Sequence, residues 1–178
     1  MTRKRKKNSI VGGFIAHPKE LRESPAWQAL PDNARRILDR LELEHLRHGG
    51  ADNGNLICTY TDFEKAGIRR ASIALAIRQC VALGFLEITQ RGRRSAASFH
   101  TPSTYRLTYL SGCGSSPEAT HEWRRISSAE NAQAALQVAA QMKNQNRHPK
   151  GRMQKAGRDN APQPDAIARL RIASTQTR

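Results

Sequence analysis

Only three cysteines occur in this chain of 178 residues, Cys58, Cys80 and Cys113, widely spaced and without a CxxC pair. They supply neither a disulfide framework nor a zinc ribbon, and they point to a reducing, cytoplasmic setting. Long apolar runs are missing too. No stretch approaches the roughly 20 apolar residues that span a bilayer. The opening "MTRKRKKNSIVGGFIAHPKE" has a charged start but a broken apolar segment, so neither a membrane protein nor an exported one is expected. Catalytic signatures are also lacking: there is no P-loop, GxSxG, HExxH or Rossmann glycine pattern. His45 and His48 stand three apart with Cys58 as a remote third donor. His45 falls on an apolar helical stripe and His48 beside a terminating glycine pair, where a cation suits the helix dipole, so no metal centre is expected. Glu42 and Glu44, two apart, diverge on a helix and suit nearby arginines better than acid–base work. The expectation is a non-enzymatic protein without cofactor or metal.

Acidic residues are half as many as basic ones, 15 against 30, for a net charge of +15. Residues 1–10 carry +5, residues 11–110 carry +4 and residues 111–178 carry +6, so the flanks are the more basic parts. Such a field favours phosphate-rich partners through long-range attraction and counterion release. The length suits one modest core with appendages. Residues 1–23 read as a basic arm whose cations include Lys4, Arg5, Lys6 and Lys7, too charged at its start to bury anything.

From residue 24 the pattern becomes structural. Ser24 is placed as an N-cap with Pro25 at the first helical position, and Pro31 either starts a second helix or kinks a continuous one. Ala34, Ile37, Leu38, Leu41 and His45 follow helical spacing until Gly49 and Gly50. Asn53 and Gly54 make a turn, after which Leu56, Cys58 and Tyr60 alternate with Ile57 and Thr59 as a strand does. Thr61 and Glu64 have the spacing of a capping box for a short helix that Gly67 stops. A longer helix begins at Arg69 or Arg70, or at Ser72 if Arg69, a poor cap, is passed over. Its inner face carries Ile73, Ile77, Cys80 and Gly84; Ala71, Leu75, Arg78, Gln79 and Ala82 lie on the other. Two alternating stretches, "FLEITQ" and "STYRLTYL", flank the polar "RGRRSAASFHTP".

The segments "YTDFEKAGIRRASIALAIRQCVALGFLEITQRGRR" and "TYRLTYL" together resemble the winged helix-turn-helix of bacterial, phage and plasmid DNA-binding proteins, over residues 24–110. The resemblance implies a mainly α fold with a small β-hairpin (α+β). The helix from Arg69 would be the recognition helix and "RGRRSAASFH" the wing. It also implies double-stranded DNA as partner, a transcriptional regulator or else a replication-initiation or mobile-element protein, and a nucleoid-associated place in the cytoplasm. Arg78 then reads a base edge by a bidentate contact with guanine and Gln79 reads adenine. Arg69, Arg70 and Ser72 meet phosphate or bases near the helix start, and Arg91, Arg93 and Arg94 reach the minor groove or phosphates from the wing. The reading from another class is a protein-interaction scaffold with nonspecific basic tails, which an outward Leu75 favours.

Residues 111–126 read as a linker, and 127–146 as a helix with capping-box spacing at Ser127 and Glu130. Its broad, weakly apolar face of Ala132, Ala135, Leu136, Ala139 and Met142 serves a homodimer or another protein, or nothing. Residues 147–178 read as a basic, largely disordered tail.

Overall fold

The structure is a computed structural model that describes residues 12–94, 100–112 and 118–142. Ser24 acts as its sequence context asks. Its hydroxyl accepts the Trp27 N–H at 3.2 Å and donates to the Leu21 carbonyl at 2.7 Å, so α1 (Lys19–Glu23) ends where α2 (Pro25–Gln28) begins. Pro31 starts a helix rather than kinking one: extended at φ −66° and ψ 153°, it precedes α3 (Asp32–Arg47). The stripe Ala34, Ile37, Leu38, Leu41 and His45 is buried as its spacing dictates.

β1 (Leu56–Ile57) is shorter than the alternation suggested, because the chain leaves the sheet to cap the next helix. The capping box falls two residues earlier than expected. Thr59, not Thr61, is the cap: its Oγ1 accepts the Asp62 N–H at 3.3 Å while the Asp62 carboxylate takes the Thr59 N–H at 2.9 Å. Both spacings exist in the sequence. This one lets α4 (Tyr60–Lys65) bury Phe63 and leaves Glu64 free for a partner outside its helix. Gly67, at φ +84°, makes the turn that a Cβ would strain, and α5 (Arg70–Ala82) follows. Arg69 occupies the cap position without a side-chain cap bond, so the helix starts at Arg70 and not at Ser72. Ile73, Ala76, Ile77 and Cys80 are its buried residues.

β2 (Leu86–Gln90) pairs antiparallel with the last strand of the fold, β5 (Thr104–Leu107), Leu86 opposite Leu107 and Ile88 opposite Tyr105, with a register shift between Ile88 and Gln90. β1 pairs with the other edge of β5, giving the order β1-β5-β2. Beyond the shift, β3 (Arg93–Arg94) and β4 (His100–Thr101) continue the hairpin as a separate two-stranded ladder. Asn53, expected only as a turn residue, is 2% exposed. Its amide donates to the carbonyls of Leu107 and Leu110, both at 2.9 Å, and accepts the Leu107 N–H at 2.8 Å, tying the turn to the end of β5. The core lies between α3, α5 and the sheet, where Trp27, Phe85 and Tyr109 meet edge to face.

The stretch read as a linker carries a core residue. Trp123, in a single 3₁₀ turn (Glu122–Arg125), is 4% exposed, and a Cβ on Gly84 (φ +76°) would stand 2.7 Å from its backbone nitrogen. Glycine at the end of α5 is what lets this segment lie so close. α6 (Ala129–Gln141) then starts one residue later than the capping-box spacing implied, with Ser128 accepting the Asn131 N–H at 3.2 Å. Its face of Ala132, Ala135, Leu136 and Ala139 packs on its own chain, along α5 and against α2. Four of the five residues expected to face a second copy or another protein are therefore packed within the chain. Met142 remains exposed.

Candidate nucleic-acid interface

The corner between α4 and α5 gathers exposed cations for local reasons. Gly67 turns the chain sharply, so Lys65, Arg69 and Arg70 leave the fold within a few residues of one another, all exposed. Arg70 is the ordered one. Its guanidinium meets Glu64 Oε2 at 2.6 Å and lies 5.7 Å above the Tyr60 ring. Arg36, exposed on α3, approaches the Gly67 carbonyl at 3.5 Å. An exposed pair such as Arg70–Glu64 is worth little in water, so the guanidinium can exchange its carboxylate for a phosphate at small cost. Tyr60, Lys65 and Arg36 were not singled out from sequence. The signal for Tyr60 was the Thr59-x-x-Asp62 box, which puts it at a helix start rather than in a strand.

The second cluster sits where the hairpin leaves the sheet. Thr89, Gln90, Arg91, Arg93 and Thr101 line an open groove, with Arg91 and Arg93 exposed. The strands cross closely here. Gly92 N–H donates to Ser103 Oγ at 2.9 Å, and a Cβ on Gly92 would lie 2.7 Å from the Thr101 carbonyl oxygen. Thr89 Oγ1 donates to the Gly54 carbonyl at 2.8 Å, fixing the base of the hairpin to the turn before β1. The sheet links the two elements that carry the clusters: Thr104 pairs with Gln90 at the hairpin base, and the next residue, Tyr105, stacks edge to face on Phe63 of α4.

The other residues expected at the interface are less open. Arg78, assigned to a guanine edge, donates from Nε to the Ala139 carbonyl of α6 at 3.0 Å. Its fork is used inside the chain because α6 lies along α5. Gln79 and Ser72 are half-buried. Arg94 belongs to β3, but its side chain and residues 95–99 of the wing lie outside the described residues, as do Lys4, Arg5, Lys6 and Lys7, Cys113, and the tail from 143.

Burial also speaks to the other chemistry the sequence raised. The Cys58 thiol is pushed up to about 12 by burial, and burial raises Cys80 as well, so neither is a ready thiolate near neutral pH. Among the described residues no three His, Cys, Asp or Glu side chains stand close enough to hold a metal. Glu44 is opposed by burial but held below the usual carboxylate range by hydrogen bonds from Arg40, His48 and Arg47; hydrogen bonds from Thr59 do the same for Asp62.

His45 is a core residue, 6% exposed. Burial lowers its affinity for a proton from the ordinary 6.5, against the pull of Asp52 and Glu42. The unfolded chain therefore takes up that proton first. Stability is full above pH 6.5 and falls as the pH drops from there towards the lower folded value. Thermal melts should show the wild-type midpoint falling between neutral and mildly acidic pH. His45→Leu should remove that part of the fall and leave the steeper loss at the carboxylates. Parallel pH curves for the two proteins would rule His45 out as its source.

Compared with family models, curated proteins and solved structures, the chain has no significant match. No helix among the described residues is long and apolar enough to cross a membrane.

Proposed function

We propose that this chain is a non-enzymatic, sequence-preferring double-stranded DNA-binding protein built on a winged helix-turn-helix, and that it acts as a transcriptional regulator. The observation that carries this reading is a pair of exposed basic clusters, Arg69 and Arg70 at the start of α5 and Arg91 and Arg93 at the base of the hairpin that follows it, on a fold whose sheet is ordered β1-β5-β2. A helix fills the major groove and a basic hairpin beside it reaches the neighbouring phosphates or minor groove, so this arrangement suits a duplex better than a small ligand. The net charge of +15 supports the same partner class. The test is selection of fragments from random duplex DNA by the full chain. The expected outcome is enrichment of a short common sequence.

A second reading has one observation behind it. Val81 of α5 and Val138 and Met142 of α6 are exposed apolar side chains, which suit a scaffold that holds other proteins. Random duplex recovered without enrichment would favour that scaffold and set aside base recognition.

A further inference from the structure

We infer that α6 and duplex DNA are alternative occupants of the same face of α5, so that the chain has a closed form and a DNA-competent one; the inference rests on the proposed DNA-binding reading. At about 100° per residue, Ile73, Ala76, Ile77 and Cys80 point one way on α5, into the core. Leu75, Arg78, Gln79 and Ala82 point the other way, and on a recognition helix they face the groove. None of those four is exposed, and Ala71, which shares their face in the first turn, is.

The cover is α6. Trp123, which precedes it, meets Gly84 just past the end of α5, and Ala139, near its own end, meets Arg78 in the middle of α5. The two helices therefore run back along each other. A helix with its side chains is about 10–12 Å across and the major groove about 12 Å wide. One helix enters the groove; a pair lying side by side does not, if the covered face is the one that enters. The first turn of α5, with Arg69 and Arg70, stays outside the cover and can make the initial phosphate contacts in either form.

Two features make α6 removable. Its docking strip is three alanines and one leucine, Ala132, Ala135, Leu136 and Ala139, so it buries far less apolar surface than α3 does through Ile37, Leu38 and Leu41. The clasp is polar. Ala139 lies in the last turn of α6, where carbonyls lack partners within the helix, and Arg78 supplies a donor and a positive charge there. With α6 lifted, the same guanidinium stands on the open face of α5 and can meet the duplex. Arg78 thus changes partner between the two forms.

Hydrogen exchange on the full chain, with and without short random-sequence duplex, tests this. The expected result is that amides of residues 133–141 lose protection when duplex is bound while those of α5 gain it. Ala139→Gln and Ala132→Gln put an uncharged bulk into the docking strip without altering net charge. Either should tighten duplex binding about tenfold while the remaining fold still melts cooperatively, because a protein mostly in the closed form binds with an affinity reduced by its competent fraction. If Ala132→Gln fails to fold, Ala139→Gln, nearer the helix end, gives the reading. Bound duplex with α6 protection unchanged or increased would overturn the competition and leave the DNA-binding reading standing. No duplex binding by the wild type or by a folded Ala139→Gln variant would overturn both.

Discussion

Replacing Arg69, Arg70, Arg91 and Arg93 together with alanine should cost roughly a hundred- to a thousandfold in duplex affinity at physiological salt, since each neutralised phosphate contributes about 0.9 to the salt exponent. All four are exposed, and only Arg70 has a described ion-pair partner, so the fold loses little when they go. The slope of log affinity against log salt should flatten by about 3 to 4 for four lost contacts. The two clusters are separable. Removing only the hairpin pair should flatten the slope by about half as much, and removing only the corner pair should do the same. Titrations of a labelled duplex at several salt concentrations measure this. An unchanged slope in the fourfold variant would show that the cations driving binding lie elsewhere in the chain.

Phe85→Ala should be the most damaging single change in the fold. Phe85 is fully buried at the junction of α5 and β2, with Trp27 at 5.5 Å on one side and Tyr109 at 6.3 Å on the other. Its N–H bonds the Cys80 carbonyl at 2.9 Å and its carbonyl accepts the Thr108 N–H at 3.1 Å, so the ring anchors the point where helix hands over to sheet. Truncating a buried phenylalanine costs about 3–5 kcal/mol. In a domain of this size that lowers the melting midpoint by roughly 10–20 °C. Phe85→Leu fills most of the space and should recover more than half of the loss. The hairpin position depends on this junction, so in Phe85→Ala the dependence of DNA affinity on Arg91 and Arg93 should weaken even below the melting temperature. A loss under about 1 kcal/mol would mean that Trp27 and Tyr109 close the gap between them.

The parts of this fold legible in the sequence are those set by local rules. The Ser24-Pro25 start, the α3 stripe from Ala34 to His45, the turn at Gly67, and the alternation of Leu86 and Ile88 against Glu87 and Thr89 each follow from the preferences of a few adjacent residues, whereas Gly84, read as an inner-face residue of α5, lies past the end of that helix at φ +76°. Where two local rules competed, as between Thr59-x-x-Asp62 and Thr61-x-x-Glu64, the burial of Phe63 decided, and that depends on tertiary packing. Other roles that were missed are set by distant partners. Asn53 bonds to the end of β5, more than fifty residues away, and nothing near it announces that. Trp123 sits in a stretch whose glycines and serines read as linker, yet Gly84 leaves a place for it. Arg78 looked free because α6 is remote in sequence. The exposed cations Arg69, Arg70, Arg91 and Arg93 were legible because exposure of a charge at a turn needs no partner.

The most direct test of the docking geometry is a hydroxyl-radical footprint on the best sequence selected from random duplex, taken with the wild type and with Arg91 and Arg93 replaced by alanine. In the proposed geometry α5 enters the major groove while the hairpin lies over the flanking backbone. The wild type should therefore protect a central block and one flank on its outer side, and the variant should keep the central block and lose that flank. The same footprint from both proteins, at concentrations that saturate each, would contradict the placement of the hairpin on DNA and with it the winged-helix reading of this chain.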